Sequence, residues 1–215
     1  MSEVISWVDW ERRFSDFLDA QAEGDVAHDR MHIHRVVRMA RQLAEAEQAE
    51  LRVVIPAAWL HDCIGVPKTD PRRAQASQLA AEHAITFLMQ AGYPAVYAPA
   101  IAHAIEAHSF SAGIPPHTLE ARVVQDADRL DAIGAIGLSR FLMLAGTFRS
   151  TLYHPTDPFC QTRLPEDTRF AVDHLYAKLF KLPGLMQTEA GKAEAQRRIA
   201  FMERYISQLG EEIGA

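Results

Sequence analysis

The stretch PAAWLHD, residues 56–62, leads an apolar helical segment directly into the dipeptide His61-Asp62. His32 upstream and Asp128 downstream also lie in sequence with helical character. Two imidazoles and two carboxylates form a mixed nitrogen and oxygen ligand set. Such a set suits divalent ions of borderline to hard character and leaves coordination positions for water and substrate oxygens. We therefore predict one divalent-metal site of the kind that hydrolases use.

The composition favours one folded domain and excludes several classes of protein. A chain of 215 residues that is 48% hydrophobic can bury about 70% of its extended surface, so we expect a single domain over residues 1–215. No apolar run reaches membrane length and the amino terminus does not resemble a signal peptide, so we expect a cytoplasmic protein without a membrane partner. A net charge of −6 argues against binding duplex nucleic acid. Cys63 and Cys160 do not suggest a disulfide framework, and we expect both to be buried thiols.

Apolar residues recur at steps of three and four along most of the chain, which predicts an all-α fold. β-branched runs occur only inside this helical pattern, so no sheet is predicted. The third predicted helix has Pro56 in its first turn and runs into His61. The predicted helices are 5–22, 29–49, about 56–62, 73–91, 94–108, 119–140 with an interruption at the glycines Gly134 and Gly137, 166–181 and 188–209.

Two long connections lie between these helices, and the one over residues 146–165 is long enough to suggest a lid or a substrate wall. Aromatic residues in the two connections could stack on the ring of a substrate or anchor the loops to the core. They are Phe110, Phe148, Tyr153 and Phe159.

Three short segments resemble those of the HD-domain superfamily of metal-dependent phosphohydrolases. They are HIHRV at 32–36, AAWLHD at 57–62 and QDADRLDA at 125–132, within a matching region of about 28–140. The segments at 28–36, 164–182 and 186–198 resemble a group of small bacterial HD hydrolases, which extends the similarity almost end to end. The resemblance implies a single-domain helical bundle with an HD core at about 28–140 and C-terminal helices 165–213 packed on it.

The resemblance also implies the metal ligands, which are His32, His61, Asp62 and Asp128. The first and the last of these have competitors nearby in sequence. His28 shares a helical face with His32 if the helix begins early enough, and we expect it beside the ligands in preference to a polar residue at the helix start; His34 is expected at the surface. Asp131 lies one turn from Asp128 and could orient a bound water or a ligating imidazole, whereas Asp126 is expected to face away.

Acid–base and phosphate-binding residues are harder to assign. Lys68 is the first choice for a phosphate contact, with weaker candidates Arg72, Arg73 and Arg129. Some HD enzymes carry a catalytic carboxylate three residues after the His-Asp aspartate, and Gly65 occupies that place here. Candidates to replace this group are Asp131, His103 and His108.

The predicted activity is hydrolysis of a phosphoester or phosphoanhydride in a nucleotide or similar small phosphate compound. The expected cofactor is one divalent ion (Mn, Mg, Fe, Co, Ni or Zn), with Mn or Mg favoured, and the expected assembly is a monomer or homodimer. Because Gly65 replaces the carboxylate, a protein that senses nucleotides without turnover is the alternative. Histidines His83, His103 and His108 leave open a two-metal phosphodiesterase or oxygenase.

Overall fold

The computed structural model describes residues 5–21, 30–66, 70–109 and 112–215. This part of the chain contains α-helices, short 3-10 helices and one isolated bridge between Thr151 and Phe170, and it contains no strand. The predicted all-α fold is therefore confirmed. The α-helices are α1 (Trp7–Gln21), α2 (Arg30–Glu47), α3 (Leu51–Leu60), α4 (Ala76–Gln90), α5 (Ala98–His108), α6 (Leu119–Leu130), α7 (Gly134–Thr147), α8 (Asp173–Ala177) and α9 (Glu189–Ile213).

Contacts divide the chain into two compact units, residues 1–127 and 128–215, and the division falls inside α6. In the first unit, α3 packs against α1, α2 and α5, and α4 packs against α5. Every α3 residue from Val53 to Leu60 is buried. In the second unit, α7 packs against α9, whose buried face includes Ala195, Ile199 and Met202.

Helix α3 begins earlier than the sequence suggested, so Pro56 lies in its interior and not in its first turn. Glu50 is the N-cap, and its side chain accepts a hydrogen bond from the Arg52 amide at 3.0 Å. Proline has no amide hydrogen for the carbonyl four residues earlier, which is that of Arg52. The Tyr93 hydroxyl donates to this carbonyl at 2.6 Å, which compensates for the missing helical bond.

The predicted interruption between residues 119 and 140 lies between Leu130 and Gly134. Gly134 has a φ of +78°, a conformation that glycine adopts without steric cost. Gly137 lies so close to the preceding turn that an added Cβ would be 2.2 Å from the Ala132 carbonyl oxygen. These two glycines allow the chain to leave α6 and begin α7.

The predicted helix over 166–181 is wrong, because only α8 and a 3-10 helix over Leu179–Leu185 form there. The backbone before α8 is paired with the segment that follows α7. The amides of Ala171 and Val172 donate to the carbonyls of Thr151 and Leu152 at 2.8 and 2.9 Å. Since these donors are used across the chain, they are not available for bonds within a helix.

No single helix of the described ranges is both long and apolar enough to cross a membrane. One pair, Leu119–Leu130 with Gly134–Thr147, passes by length and composition together but is bent by 57°.

Candidate metal centre

Four helices position the candidate ligands. His32 lies on α2, His61 and Asp62 follow α3, His108 ends α5 and Asp128 lies on α6. Because α3 packs against both α2 and α5, the end of α3 is placed beside the other two histidines. The ring centroid of His61 is 5.4 Å from that of His32 and 4.8 Å from that of His108.

His61 is completely buried and its ring is fixed by the helix that precedes it. The Nδ1 atom lies 2.8 Å from the carbonyl oxygen of Ala58, three residues earlier. A carbonyl oxygen only accepts, so Nδ1 carries the hydrogen and a neutral ring has its lone pair on Nε2. That Nε2 lies 3.7 Å from Oδ2 of Asp62, so the metal-binding nitrogen and the carboxylate are directed to one place.

His108 repeats the arrangement at the end of α5. Its Nδ1 donates to the carbonyl of Ile105 at 2.5 Å, and its Nε2 lies 3.5 Å from Oδ1 of Asp62. A hydrogen bond from the far ring nitrogen to a backbone carbonyl is the usual support of a metal-ligating histidine. Two imidazoles fixed in the same way therefore face opposite oxygens of one carboxylate.

The carboxylate of Asp62 is held in its ionised form by its neighbours. Burial on its own would raise the pKa of Asp62. When the imidazoles are protonated, the charge of His61, the hydrogen bond and charge of His108 and the charge of His32 together lower this pKa far below its usual range. The side chain is 49% exposed, so the carboxylate stands at the boundary between the buried imidazoles and solvent. An ionised, accessible carboxylate is the form that binds a cation.

Two groups of ligand atoms have the spacing that a metal ion requires. The first consists of His32, His61 and Asp128, and the second of His61, Asp62 and His108; within each, the ligand atoms lie within 4.8 Å of one another. Asp128 is the first residue of the second unit, and α6 continues from Ala127 to Asp128 without a break. The four ligands expected from sequence are thus divided between two groups that share His61, and His108 joins them.

The other acid–base candidates lie elsewhere. Asp131 is buried and forms an ion pair with Arg140 of α7. The Nε2 atom of His103 accepts from the amide of His117 at 3.0 Å, and the two rings stack. His83 is exposed on α4. Neither His83 nor His103 belongs to the groups found among the described residues.

The structure also shows the surroundings of several other candidates for metal or phosphate binding. His34 is exposed and its ring contacts Trp59, while Asp126 is fully buried. Arg72 pairs with Asp70, and Arg129 donates to the carbonyl of Leu185 at 2.6 Å. Several candidates lie outside what the structure describes, namely His28, Lys68 and Phe110 as whole residues and Arg73 in its side chain.

Cys63, next to Asp62, is free and buried as expected. Burial, reinforced by the Asp62 carboxylate, raises the pKa of this thiol to about 12. Since the thiolate is the nucleophilic form, Cys63 does not serve as a nucleophile near neutral pH. Cys160 is also free but only partly buried, which corrects the expectation that both thiols lie in the core.

Comparison with known proteins places this chain in a family. The family model of the HD domain matches residues 30–133. The uncharacterized protein YpgQ of Bacillus subtilis is 33% identical over 190 residues, which cover 86% of this chain and 84% of that protein. The chain belongs to the HD-domain superfamily.

Solved structures extend the similarity over nearly the whole chain. The crystal structure of an HD-superfamily hydrolase from Bacillus thuringiensis is 32% identical, with a TM-score of 0.77, and the match covers 97% of this chain and 98% of that one. The crystal structure of Bacillus subtilis YpgQ in complex with ADP is 31% identical, with a TM-score of 0.70 and coverage of 95% and 98%. Together with the histidine and aspartate groups, these likenesses support a metal-dependent hydrolase of the small bacterial HD group.

Proposed function

We propose that this protein is a phosphohydrolase that uses one divalent ion, with Mn or Mg favoured, bound by His32, His61, Asp62 and Asp128. The observation that carries the proposal is the close approach of ligand atoms from α2, the end of α3 and α6 around the buried His61. The two imidazoles of His61 and His108 are oriented by backbone carbonyls before any ion binds. A site prepared in this way requires little rearrangement on binding.

A divalent ion bound there would supply Lewis-acid activation of water and of a phosphoryl oxygen. The chain's own residues set the geometry for that chemistry. Ala58 and Ile105 fix the two rings through their carbonyls, and Asp62 provides negative charge at the border with solvent. We keep His108 as the acid–base candidate, because its Nε2 lies beside Asp62. Asp131 is the weaker candidate, since its carboxylate is paired with Arg140.

The substrate class we propose is a nucleotide or a similar small phosphate compound. A relative that is 31% identical has been crystallised in complex with ADP, which supports a nucleotide in this chain as well. Phosphoryl transfer depends on positioning and on charge stabilisation more than on covalent participation of the protein. A site built from metal ligands without a nucleophilic side chain is consistent with that requirement.

The test is release of phosphate or pyrophosphate from a panel of nucleoside mono-, di- and triphosphates, with manganese and with magnesium. We expect turnover by the wild-type protein and a loss of at least about a hundredfold in Asp62→Asn and Asp128→Asn, because each substitution removes a charged ligand. Metal content is measured on the same samples, and both variants are expected to bind less metal. The matched control is Asp16→Asn, which changes an exposed aspartate of α1 and should retain activity.

The outcomes distinguish the alternatives. Full turnover by either ligand variant at metal saturation would contradict the assignment. No turnover on any nucleotide, combined with nucleotides raising the melting temperature, would favour the sensing protein. Two metal ions per chain, falling to one in His108→Gln, would make His108 a ligand of a second ion. The cytoplasmic location and the oligomeric state expected from sequence stay predictions.

A further inference from the structure

A cavity of roughly 180 Å³ is lined only by residues of the second unit, and none of them is proposed to bind metal. One wall comes from α7 and the residues after it, and the other from the segment leading into α8. The walls include Phe141, Ala145, Phe148, Asp167, Ala171 and His174.

The size and apolar walls of this cavity suit one six-membered ring. Phe141 and Ala171 are buried, whereas Phe148 is 66% exposed and stands where the cavity meets solvent. An apolar cavity of about 150 Å³ is sufficient for benzene in another protein. The space therefore accommodates a monocyclic aromatic group, and it is too small to enclose a whole nucleotide.

One edge of the cavity is polar. Nδ1 of His174 lies 3.1 Å from Oδ2 of Asp167, and the His174 ring lies at 19° to that of Phe141 with centroids 6.0 Å apart. A carboxylate can accept about four hydrogen bonds, so the contact with His174 leaves Asp167 able to accept from a ligand. Aromatic faces and a carboxylate both attract positive charge. Chemical complementarity at this edge thus favours a cation over an anion.

We propose that this cavity binds a planar aromatic ring that carries an amidinium or ammonium group. The ring lies between Phe148 and the Phe141 side of the cavity, and the cationic group donates to Asp167. This cavity shares no residue with the proposed phosphohydrolase site, and the inference does not require that proposal to hold.

The test is NMR titration of the full-length protein with benzamidine, compared with benzoate, which has a similar shape and the opposite charge. We expect benzamidine to shift the backbone amides of Ala145, Ala171 and His174, with and without EDTA. Benzoate should bind at least about tenfold more weakly. The proposal is overturned if benzamidine shifts none of these amides, or if benzoate binds equally well.

Two variants and a control sharpen the test. Asp167→Asn keeps the shape of the side chain and removes its charge, so it should weaken benzamidine binding about fivefold, the size of a partly exposed charge pair. Ala145→Leu fills the space and should abolish binding. The control is Glu203→Gln, which removes an exposed carboxylate from α9 and should leave the affinity unchanged. Unaltered binding in Ala145→Leu, with its amide spectrum otherwise folded, would contradict the assignment of the site.

Discussion

Asp173 is a charged residue that the fold removes completely from solvent. Its carboxylate accepts from both terminal nitrogens of Arg163 and from the Glu166 amide at 2.7 Å. Burial raises the pKa of Asp173, but these donors outweigh that effect and lower it below its ordinary value. The charge therefore persists in the folded state because its partners replace the lost hydration.

We expect Asp173→Asn to lower the free energy of unfolding by about 3 kcal/mol at pH 7, because Arg163 loses its buried partner. In the wild type this carboxylate has a lower pKa when folded than when unfolded. Its stabilisation is thus present above the unfolded pKa of about 4 and is lost as the pH falls through the folded value. Urea unfolding at a series of pH values from 7 to the acid range measures both effects.

The control is Asp16→Asn, which changes an exposed aspartate of α1. It should change stability little at any pH. If Asp173→Asn lost as much stability as the wild type on acidification, Asp173 would not be the source of the acid sensitivity.

The candidate ligands could be predicted at this scale because each carries a local signature. His32 precedes Arg35-Val36, and His61-Asp62 ends an apolar helix. The place of His108 could be suggested only as one of three histidines. Its position next to Asp62 depends on how α5 packs against α3, which the local sequence does not encode.

At the scale of the element, α3 illustrates how distant residues complete a helix. Pro56 leaves the Arg52 carbonyl without its helical donor, and the buried hydroxyl of Tyr93 takes that place. Burial raises the pKa of Tyr93, so the hydroxyl keeps its proton over the physiological range.

We expect Tyr93→Phe to lower the free energy of unfolding by about 1–2 kcal/mol, since a buried carbonyl loses its partner while the ring is kept. Tyr97→Phe is the matched control, because the Tyr97 ring packs on the Arg52 guanidinium and the substitution preserves that contact. Urea denaturation compares the three proteins. Equal stability of the two variants would contradict the role given to the Tyr93 hydroxyl.

Two glycines of α7 differ in the space available for a side chain. A Cβ on Gly137 would collide with the Ala132 carbonyl, whereas one on Gly146 would meet nothing within 4 Å. We expect Gly137→Ala to destabilise the protein by roughly 1–3 kcal/mol through steric strain, and Gly146→Ala to stabilise it by up to about 1 kcal/mol through helix propensity.

The difference between these variants is measured from their urea midpoints and circular dichroism. Each serves as the control for the other, because both place alanine in the same helix. A Gly137→Ala protein as stable as the wild type would show that the turn between α6 and α7 can relax.

Helices with a clear apolar periodicity were predicted well. The wrong prediction of a helix over 166–181 has an identifiable cause. Helices α1, α2 and α9 agree closely with their apolar spacing. Residues 166–172 have a helical pattern in sequence, but the amides of Ala171 and Val172 donate to the carbonyls of Thr151 and Leu152. Partners twenty residues away in sequence outweigh a weak local preference for helix in this segment.

At the scale of the whole molecule, metal binding should be coupled to stability. A ligand that binds only the folded state stabilises it by about 2.7 kcal/mol at a hundredfold excess over Kd. For a chain of this size, that corresponds to a rise of roughly 5–10 °C in Tm. We expect manganese to produce such a rise, EDTA to reverse it and Asp128→Asn to abolish it.

Scanning calorimetry or thermal circular dichroism makes this measurement. Asp16→Asn should respond to manganese like the wild type. Identical Tm values with manganese and with EDTA in the wild-type protein would count against a metal site of useful affinity.

The all-α class, most of the helices and the residue types that suit a divalent ion could be predicted from the sequence, because apolar periodicity and ligand chemistry are properties of short segments. The packing of distant segments was needed to show which histidine lies beside His61 and Asp62, how Pro56 is accommodated and where helix formation fails before Asp173. The physical reason is that each of these depends on a donor, an acceptor or a steric contact supplied by a segment distant in sequence.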